Sequence, residues 1–467
     1  MRQDIISIRH ENKEVTLHCN ALFNYQGFQV IESFNEHMDE CYYLLFYKEQ
    51  FLTAKKTVKI KRFSTLQKVL SNGIQIPSPH PIITSLLAAN HIDCFPTIPS
   101  TWKKIKRKFN NLEAHYILPL FDSYLKKENI TSALKEAYFE YRRDGKLSYA
   151  FKLLMTILDS YPTHKWAKSI YSHLDYLKYK QLYSNDINKV LLHDPLYAEK
   201  LLYQQLDAES SFSLLIQKLG KESRNLELTA LYQDRLITSS KNASHTFSEL
   251  VKLLSHTFSE NDQASILLTI YNQTNSTNCK EEILNQLLTS YMKANQFEEA
   301  FSLITSNTTP LSKSQIDMLL TILNQMETIY KIDFTQFDAS ILKDTSADQL
   351  GQILAILLPK LFTDHDLDFV YQWTTPFHHL KSSNAIIEKI KLMNKIKEEP
   401  DQQHYMGELY YQLHLLPQAI ECFSWDLELN PTITRPIMWL TKLYHELGMV
   451  EESKSYQYLY NQVQKLS

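Results

Sequence analysis

Near its C-terminal end this chain places Tyr410, Ala419 and Pro431 at offsets of nine and twelve, and far upstream it repeats them as Tyr141, Ala150 and Pro162. Gly407 and Phe423 complete a pentad in the downstream copy. The spacing is restrictive because each position has a packing task. A small residue lets two antiparallel helices approach, a large aromatic fills the flanking gap, and proline ends the second helix because it lacks an N–H and its ring clashes with the preceding turn. Self-similarity with a period of about 34 residues predicts helical hairpins that bury their apolar faces only by stacking on one another. The pattern returns as Leu287, Tyr291, Ala300 and Ile304, and again as Leu440, Tyr444, Gly448 and Ser453, where serine takes the place of alanine. The clear units are 131–164, 281–314, 400–433 and 434–467.

Composition agrees with helices joined by short polar turns. The chain has 7 glycines in 467 residues, where average usage of about 7% would give more than thirty. Folds that depend on many positive-φ positions, such as sandwiches and phosphate loops, are disfavoured by that shortage. A hydrophobic content of 44% excludes a disordered chain. The five cysteines, Cys19, Cys41, Cys94, Cys279 and Cys422, are odd in number and form no Cys-x-x-Cys pair, which suggests a reducing compartment. Met1 leads into Arg-Gln-Asp-Ile-Ile with no apolar signal segment behind it, and the longest apolar stretches, Ile82–Ala89 and Ile353–Leu358, fall far below the ~20 residues that span a bilayer. The expectation is a cytoplasmic protein without a transmembrane segment.

The N-terminal part follows a different rule. Asp4–Arg9 and Val15–Asn20, short and rich in Ile, Val and Thr, flank His10-Glu11-Asn12-Lys13 and predict a β-hairpin. Cys41–Phe51 and Thr57–Phe63 read as two further strands, the second with Val58, Ile60 and Arg62 on one face and Lys59 and Lys61 on the other. Pro77, Pro79, Pro81, Pro96 and Pro99 then punctuate a stretch expected to hold a short helix at Ile82–Asn90 and a basic helix, capped by Ser100-Thr101, through Lys108. The organisation predicted is a small β-containing module over 1–63, a Pro-rich basic connector with short helices over 64–110, and a helical array over 111–467. The fold class is mainly α, an α-solenoid of helical hairpins with a small N-terminal α/β module. Within the array, Ser-His-Thr-Phe-Ser-Glu occurs at 244–249 and again at 255–260. Eleven residues make almost three helical turns, so the copy reads as a duplication inside one long helix with Phe247 and Phe258 on one face.

The four clear units resemble tetratricopeptide repeats. The resemblance implies a non-enzymatic scaffold or adaptor that holds a protein or peptide segment in a concave groove lined by each unit's first helix. In the first unit those positions are Lys135, Phe139, Arg142 and Arg143. In the last two they are Glu408, Tyr411 and Gln412, then Arg435, Met438, Lys442, His445 and Glu446. Chaperone-binding members of the family grip a C-terminal carboxylate with a lysine and asparagines; Lys135 matches, whereas Phe139 and Ile170 stand where asparagine is expected. A helical array behind an N-terminal part is also similar to the peptide-pheromone receptors of Gram-positive bacteria, which implies, as an alternative, a peptide-responsive regulator.

Charge supplies a third reading. Residues 1–130 carry a net +5 and the remainder −8, and between Lys55 and Lys108 eleven basic residues face Asp93 alone. Lys55, Lys56, Lys59, Lys61 and Arg62 form one basic group. Lys103, Lys104, Lys106, Arg107 and Lys108, beside Trp102, form another. Clustered cations with an aromatic nearby are what phosphate and base recognition use, so nucleic-acid binding is the second alternative. Other chemistries lack their patterns. Asp364, Asp366 and Asp368 begin no calcium loop, since Phe369 and Thr375 stand where Gly and Glu are needed. His91, Asp93 and Cys94 have no partner cluster, and His378-His379 point different ways on any regular element. Without a nucleophile elbow, a Walker loop or a kinase set, neither an enzyme nor a cofactor is expected.

Overall fold

Alternating apolar residues in the N-terminal segment pair into an antiparallel meander of β1 (Ile5–His10), β2 (Lys13–Tyr25), β3 (Phe28–Asn35), β4 (Cys41–Tyr47) and β5 (Gln50–Lys56). The computed structural model describes residues 4–10, 13–57, 59–184, 187–239, 241–307, 309–325, 337–378 and 385–466. Glu11, Asn12, Val58 and His379 lie outside the described residues. The chain divides into two compact units, Met1–Ile283 and Leu284–Ser467. It is mainly helical, and no helix among the described residues is long and apolar enough to cross a membrane.

In the first unit the predicted hairpin is β1 on β2, with Ile8 opposite Val15. Two expectations about the strands change. Cys41–Phe51 is not one strand, because Lys48 (φ 46°) and Glu49 (φ 62°) turn it back between β4 and β5. Gln26 (φ 53°) and Gly27 (φ 79°) do the same between β2 and β3. Left-handed values at both central residues give the mirror-image turn whose twist matches that of paired strands. Thr57–Phe63 forms no strand among its described residues; the chain turns at Phe63 into the helix Thr65–Asn72, which Ser64 caps by accepting the Gln67 N–H.

The Pro-rich stretch 64–110 does more than connect. Its residues Ile74–Pro77 form β6, which pairs with Ala21–Asn24 of β2 beyond the bulge at Cys19/Ala21, so β1 and β6 share one edge of that long strand. The helices Thr65–Asn72, Ile98–Lys108 and Asn111–Ile117 lay Leu66, Val69, Ile105, Ala114 and Ile117 on the sheet face made by Phe23, Val30, Leu45 and Leu52. On the other side, the helix Asn225–Thr238 packs against β6 and the helix Pro81–Ala88. With both faces covered, β4 is buried along nearly its whole length, which is why its sequence, Cys-Tyr-Tyr-Leu-Leu-Phe-Tyr, shows no polar alternation.

Among the described residues, five helical hairpins share a closing turn. Gly145, Ser223, Asn295, His414 and Gly448 all adopt left-handed φ, between 55° and 75°. After each, the next N–H reaches back to a carbonyl of the first helix: Lys146 to Tyr141, Arg224 to Leu219, Gln296 to Tyr291, Leu415 to Tyr410 and Met449 to Tyr444. This is the six-to-one bond that satisfies the orphan carbonyls at a helix C-terminus. Four of the five hairpins coincide with the units read from the sequence. The fifth, Glu209–Lys221 with Asn225–Thr238, carries Leu219 and Leu228 where the others carry tyrosine and a small residue, so its side chains hid it. The tandem copy at 244–260 is not one helix. Phe258 ends the helix Ala243–Thr257 and Ser259 caps Glu260–Gln273, leaving Phe247 and Phe258 both buried.

In the second unit, the helix pairs Gln403–Gln412 with Leu416–Leu429 and Thr434–Glu446 with Val450–Leu466 enclose a core of Ala419, Phe423, Leu440 and Leu443. A Cβ at Gly407 would stand 2.9 Å from the Phe423 ring. Phe423 in turn stacks on Trp439 at 5.2 Å between centroids. The glycine and the phenylalanine of the pentad are therefore two halves of one contact.

Candidate interaction groove

The first helices of the last two hairpins bring several of the predicted residues together. Lys442, on Thr434–Glu446, sets its ammonium 4.3 Å from the Tyr411 ring centroid and 4.9 Å from that of Trp439. The two rings meet edge to face at 5.0 Å. Tyr411 donates its hydroxyl proton to Glu446 at 3.0 Å, and Arg435 pairs with Glu408 at 2.7 Å. These pairs cross from one hairpin to the next and hold the two helices in register. Beside them Met438, Thr441, Lys442, His445 and Glu446 line a cavity of about 460 Å³ that Ser453, Gln457 and Tyr460 close from the last helix. Ser453 is buried, donating to the Thr441 carbonyl at 2.9 Å, so serine at the small-residue position bonds the facing helix where alanine would only pack. Met438 is 55% exposed, and Gln412 is exposed at the end of its helix. The surface offers an apolar wall, flat aromatic rings and charges of both signs, none of them buried deeply enough to carry a large desolvation cost.

The other predicted groove residues sit in the first unit. Lys135 lies 5.1 Å above the Trp166 ring, and Phe139 tilts against that ring at 5.7 Å. Arg142 reaches Asp175 at 3.4 Å, while Arg143 is exposed. Trp166 was not singled out from the sequence, although it organises this face.

The basic residues do not form one surface. Lys55 donates to the Pro96 carbonyl, Lys56 pairs with Glu40, and Lys104 lies over the Phe51 ring. Trp102 packs against two core clusters under Lys106 instead of standing out as a stacking platform. Lys59, Lys103, Arg107 and Lys108 are exposed. Lys61 and Arg62 line a cavity that they share with Lys68 and Lys127. Among the acidic residues, Asp364 pairs with Lys360, Asp366 caps the helix Leu367–Trp373, and Asp368 pairs with Lys397.

Sequence reasoning missed a dense cluster of buried charge. Arg224 (3% exposed) meets both oxygens of Glu199 at 2.8 and 2.9 Å and Glu227 at 2.6 Å. Lys218 joins Glu199 and, at 2.6 Å, Glu222; Tyr203 donates to Glu227. Burial alone would raise the Glu199 carboxyl, but Arg224 and Lys218 outweigh it and hold the group down at about 2. The two strand turns plug into this cluster. Lys48 pairs with Glu113 at 2.7 Å and Glu222 at 3.3 Å, Gln29 donates to Glu227 at 3.1 Å, and Glu49 accepts the N–H groups of Leu226 and Glu227 at 2.9 and 3.1 Å. Glu49 thus caps a helix 177 residues away in sequence. Through these bonds the cluster ties the sheet to the helices.

No protein-family model matches the chain, and no curated protein matches it in sequence.

Proposed function

We propose that this chain is a non-enzymatic scaffold or adaptor of the tetratricopeptide-repeat type, with its hairpins stacked as an α-solenoid in the cytoplasm. An extended protein or peptide segment docks on the first-helix face of the last two hairpins. The observation that carries the reading is the cluster of exposed Lys442 on the half-buried Tyr411 and Trp439 rings beside the 460 Å³ cavity. Aromatic and cationic anchors around a concave, half-apolar wall are the features that concentrate binding energy at protein interfaces. The ligand chemistry that fits is an apolar side chain against Met438 and Tyr460 with a carboxylate near Lys442 and His445. The closing turn shared by the five hairpins supports the repeat assignment.

Selection of random peptides on the full-length chain tests this. Enriched peptides carrying an acidic and an apolar residue, lost on Lys442→Glu and on Met438→Asp, are the expected result. Peptides that bind the two variants as well as the original chain, or no enrichment at all, would overturn it. Both positions are exposed, so each variant is expected to keep its stability within about 0.5 kcal/mol.

A further inference from the structure

We propose that the first unit carries a second binding site, a cationic cavity that takes a nucleoside phosphate. The cavity, about 480 Å³, is bounded by Lys61, Arg62, Phe63, Lys68, Lys127 and Tyr161, with Asp122 at its base. That volume lies within the ~300–1,000 Å³ range of small-molecule sites.

Its cations are held in an unusual way. Lys61 donates to the carbonyls of Asp122 and Leu125 at 2.7 and 2.8 Å, and Lys68 to the Asp159 carbonyl at 2.8 Å. Lys127 lies 4.8 Å over the Tyr161 ring. Among the described residues none of these three, nor Arg62, forms an ion pair with a carboxylate, whereas Lys48, Lys56, Lys200 and Lys218 of the same unit all do. Carbonyl oxygens and a ring face fix an ammonium in place without neutralising it. Asp122, the one carboxylate of the cavity, offsets part of the charge of Lys61 and Lys68, and a phosphate group is the complement of the cations left in excess.

A second observation is independent of charge. Tyr161 and Asp122 are 7% and 6% exposed, and among the described residues the Tyr161 hydroxyl and Asp122 Oδ1 have no hydrogen-bond partner. Buried polar atoms are almost always satisfied, so two orphans lining one cavity mark where a ligand's polar groups belong. A phosphate oxygen can accept from the tyrosine, and a sugar hydroxyl or base amino group can donate to the carboxylate.

The third observation is at the rim. Phe63 is 84% exposed and has φ of 61°, a conformation that costs a bulky residue of the order of 1 kcal/mol or more. The strain is locked in place by its N–H donating to Gln67 Oε1 at 2.7 Å and by the Ser64 N–H reaching back to the Lys61 carbonyl. Folding gains nothing from an aromatic ring held in solvent. A planar base stacked on it would, and Phe63 is placed one residue from Arg62 and Ser64 for that purpose.

Fluorescence anisotropy of a ring-labelled ADP on the full-length chain is the test, with unlabelled ADP, inorganic phosphate and single strands with and without a 5′-phosphate as competitors. Glycine adopts the required φ freely, so Phe63→Gly is expected to fold at least as well and to weaken ADP binding by about tenfold. Lys127→Ala with Arg62→Ala is expected to weaken ADP and phosphate alike. Displacement by ADP alone assigns the site to a free nucleotide, and displacement by 5′-phosphorylated strands as well assigns it to a strand end. Phosphate competing as strongly as ADP, indifference to Phe63→Gly, or no binding at millimolar ADP would overturn the proposal.

Discussion

Arg224 and Lys442 show how differently one residue class is used in the two units. Arg224 is almost fully buried, with both ends of its guanidinium occupied by Glu199 and Glu227. Lys442 is half-exposed and rests on ring faces, with Glu446 at 4.0 Å. The first cation holds a sheet against helices; the second is presented outward. Burial decides the difference, because a desolvated charge must be fully partnered while a solvated one need not be.

The comparison is broken most sharply by removing Arg224. Arg224→Ala leaves Glu199 and Glu227 buried without their partner and is expected to cost about 3–5 kcal/mol, read as a lowered denaturation midpoint. A loss below 1 kcal/mol would mean the cluster is wetter than its geometry implies.

Acid should expose the first unit next. Burial pushes His80 down to about 4, whereas the unfolded chain takes up that proton near 6.5. This contribution is complete above pH 6.5 and is lost as the pH falls to about 4, a change of about 3 kcal/mol. Asp122, raised by burial to about 6, works in the opposite sense, favouring the fold as the pH drops from 6 towards 3.8. The stability difference between the original chain and His80→Asn should therefore shrink on acidification over pH 6.5–4, and that for Asp122→Asn should move the other way. Parallel pH profiles for all three chains would count against both assignments.

In the second unit the largest stability effect should come from packing. Gly407→Ala forces a Cβ onto the Phe423 ring and is expected to cost about 1–3 kcal/mol. The perturbation would also reach Trp439, whose fluorescence reports it. Smallest of all is the cost of Lys442→Glu, within about 0.5 kcal/mol; a larger loss would make Lys442 part of the fold and weaken its place in the groove.

Several of these features were legible from side chains alone. Ala150, Ala300 and Ala419 lie five residues after a left-handed turn residue, and the Tyr–Ala offset announced their hairpins. The hairpin closing at Ser223 was hidden because Leu219 and Leu228 replace its markers while its backbone turn is the same. In the groove, register placed Tyr411, Lys442 and His445 on first-helix faces and marked Ser453 as the small-residue position, but Trp439 and Tyr460 come in from packing that spacing does not encode. The strand turn at Lys48-Glu49 was passed over because neither residue is glycine, although both are left-handed.

By itself the sequence determined what depends on short-range stereochemistry: helical hairpins from small, aromatic and proline positions, strands from β-branched runs, and a basic N-terminal part. The tertiary structure decided which charges are buried and which are offered. It brought Glu49 to a helix start far along the chain, split the basic residues among carbonyls, ring faces and a cavity, and used the Pro-rich stretch to complete the sheet. The physical reason is that periodicity records which face of an element is apolar, whereas desolvation and pairing depend on residues that meet only when distant elements pack.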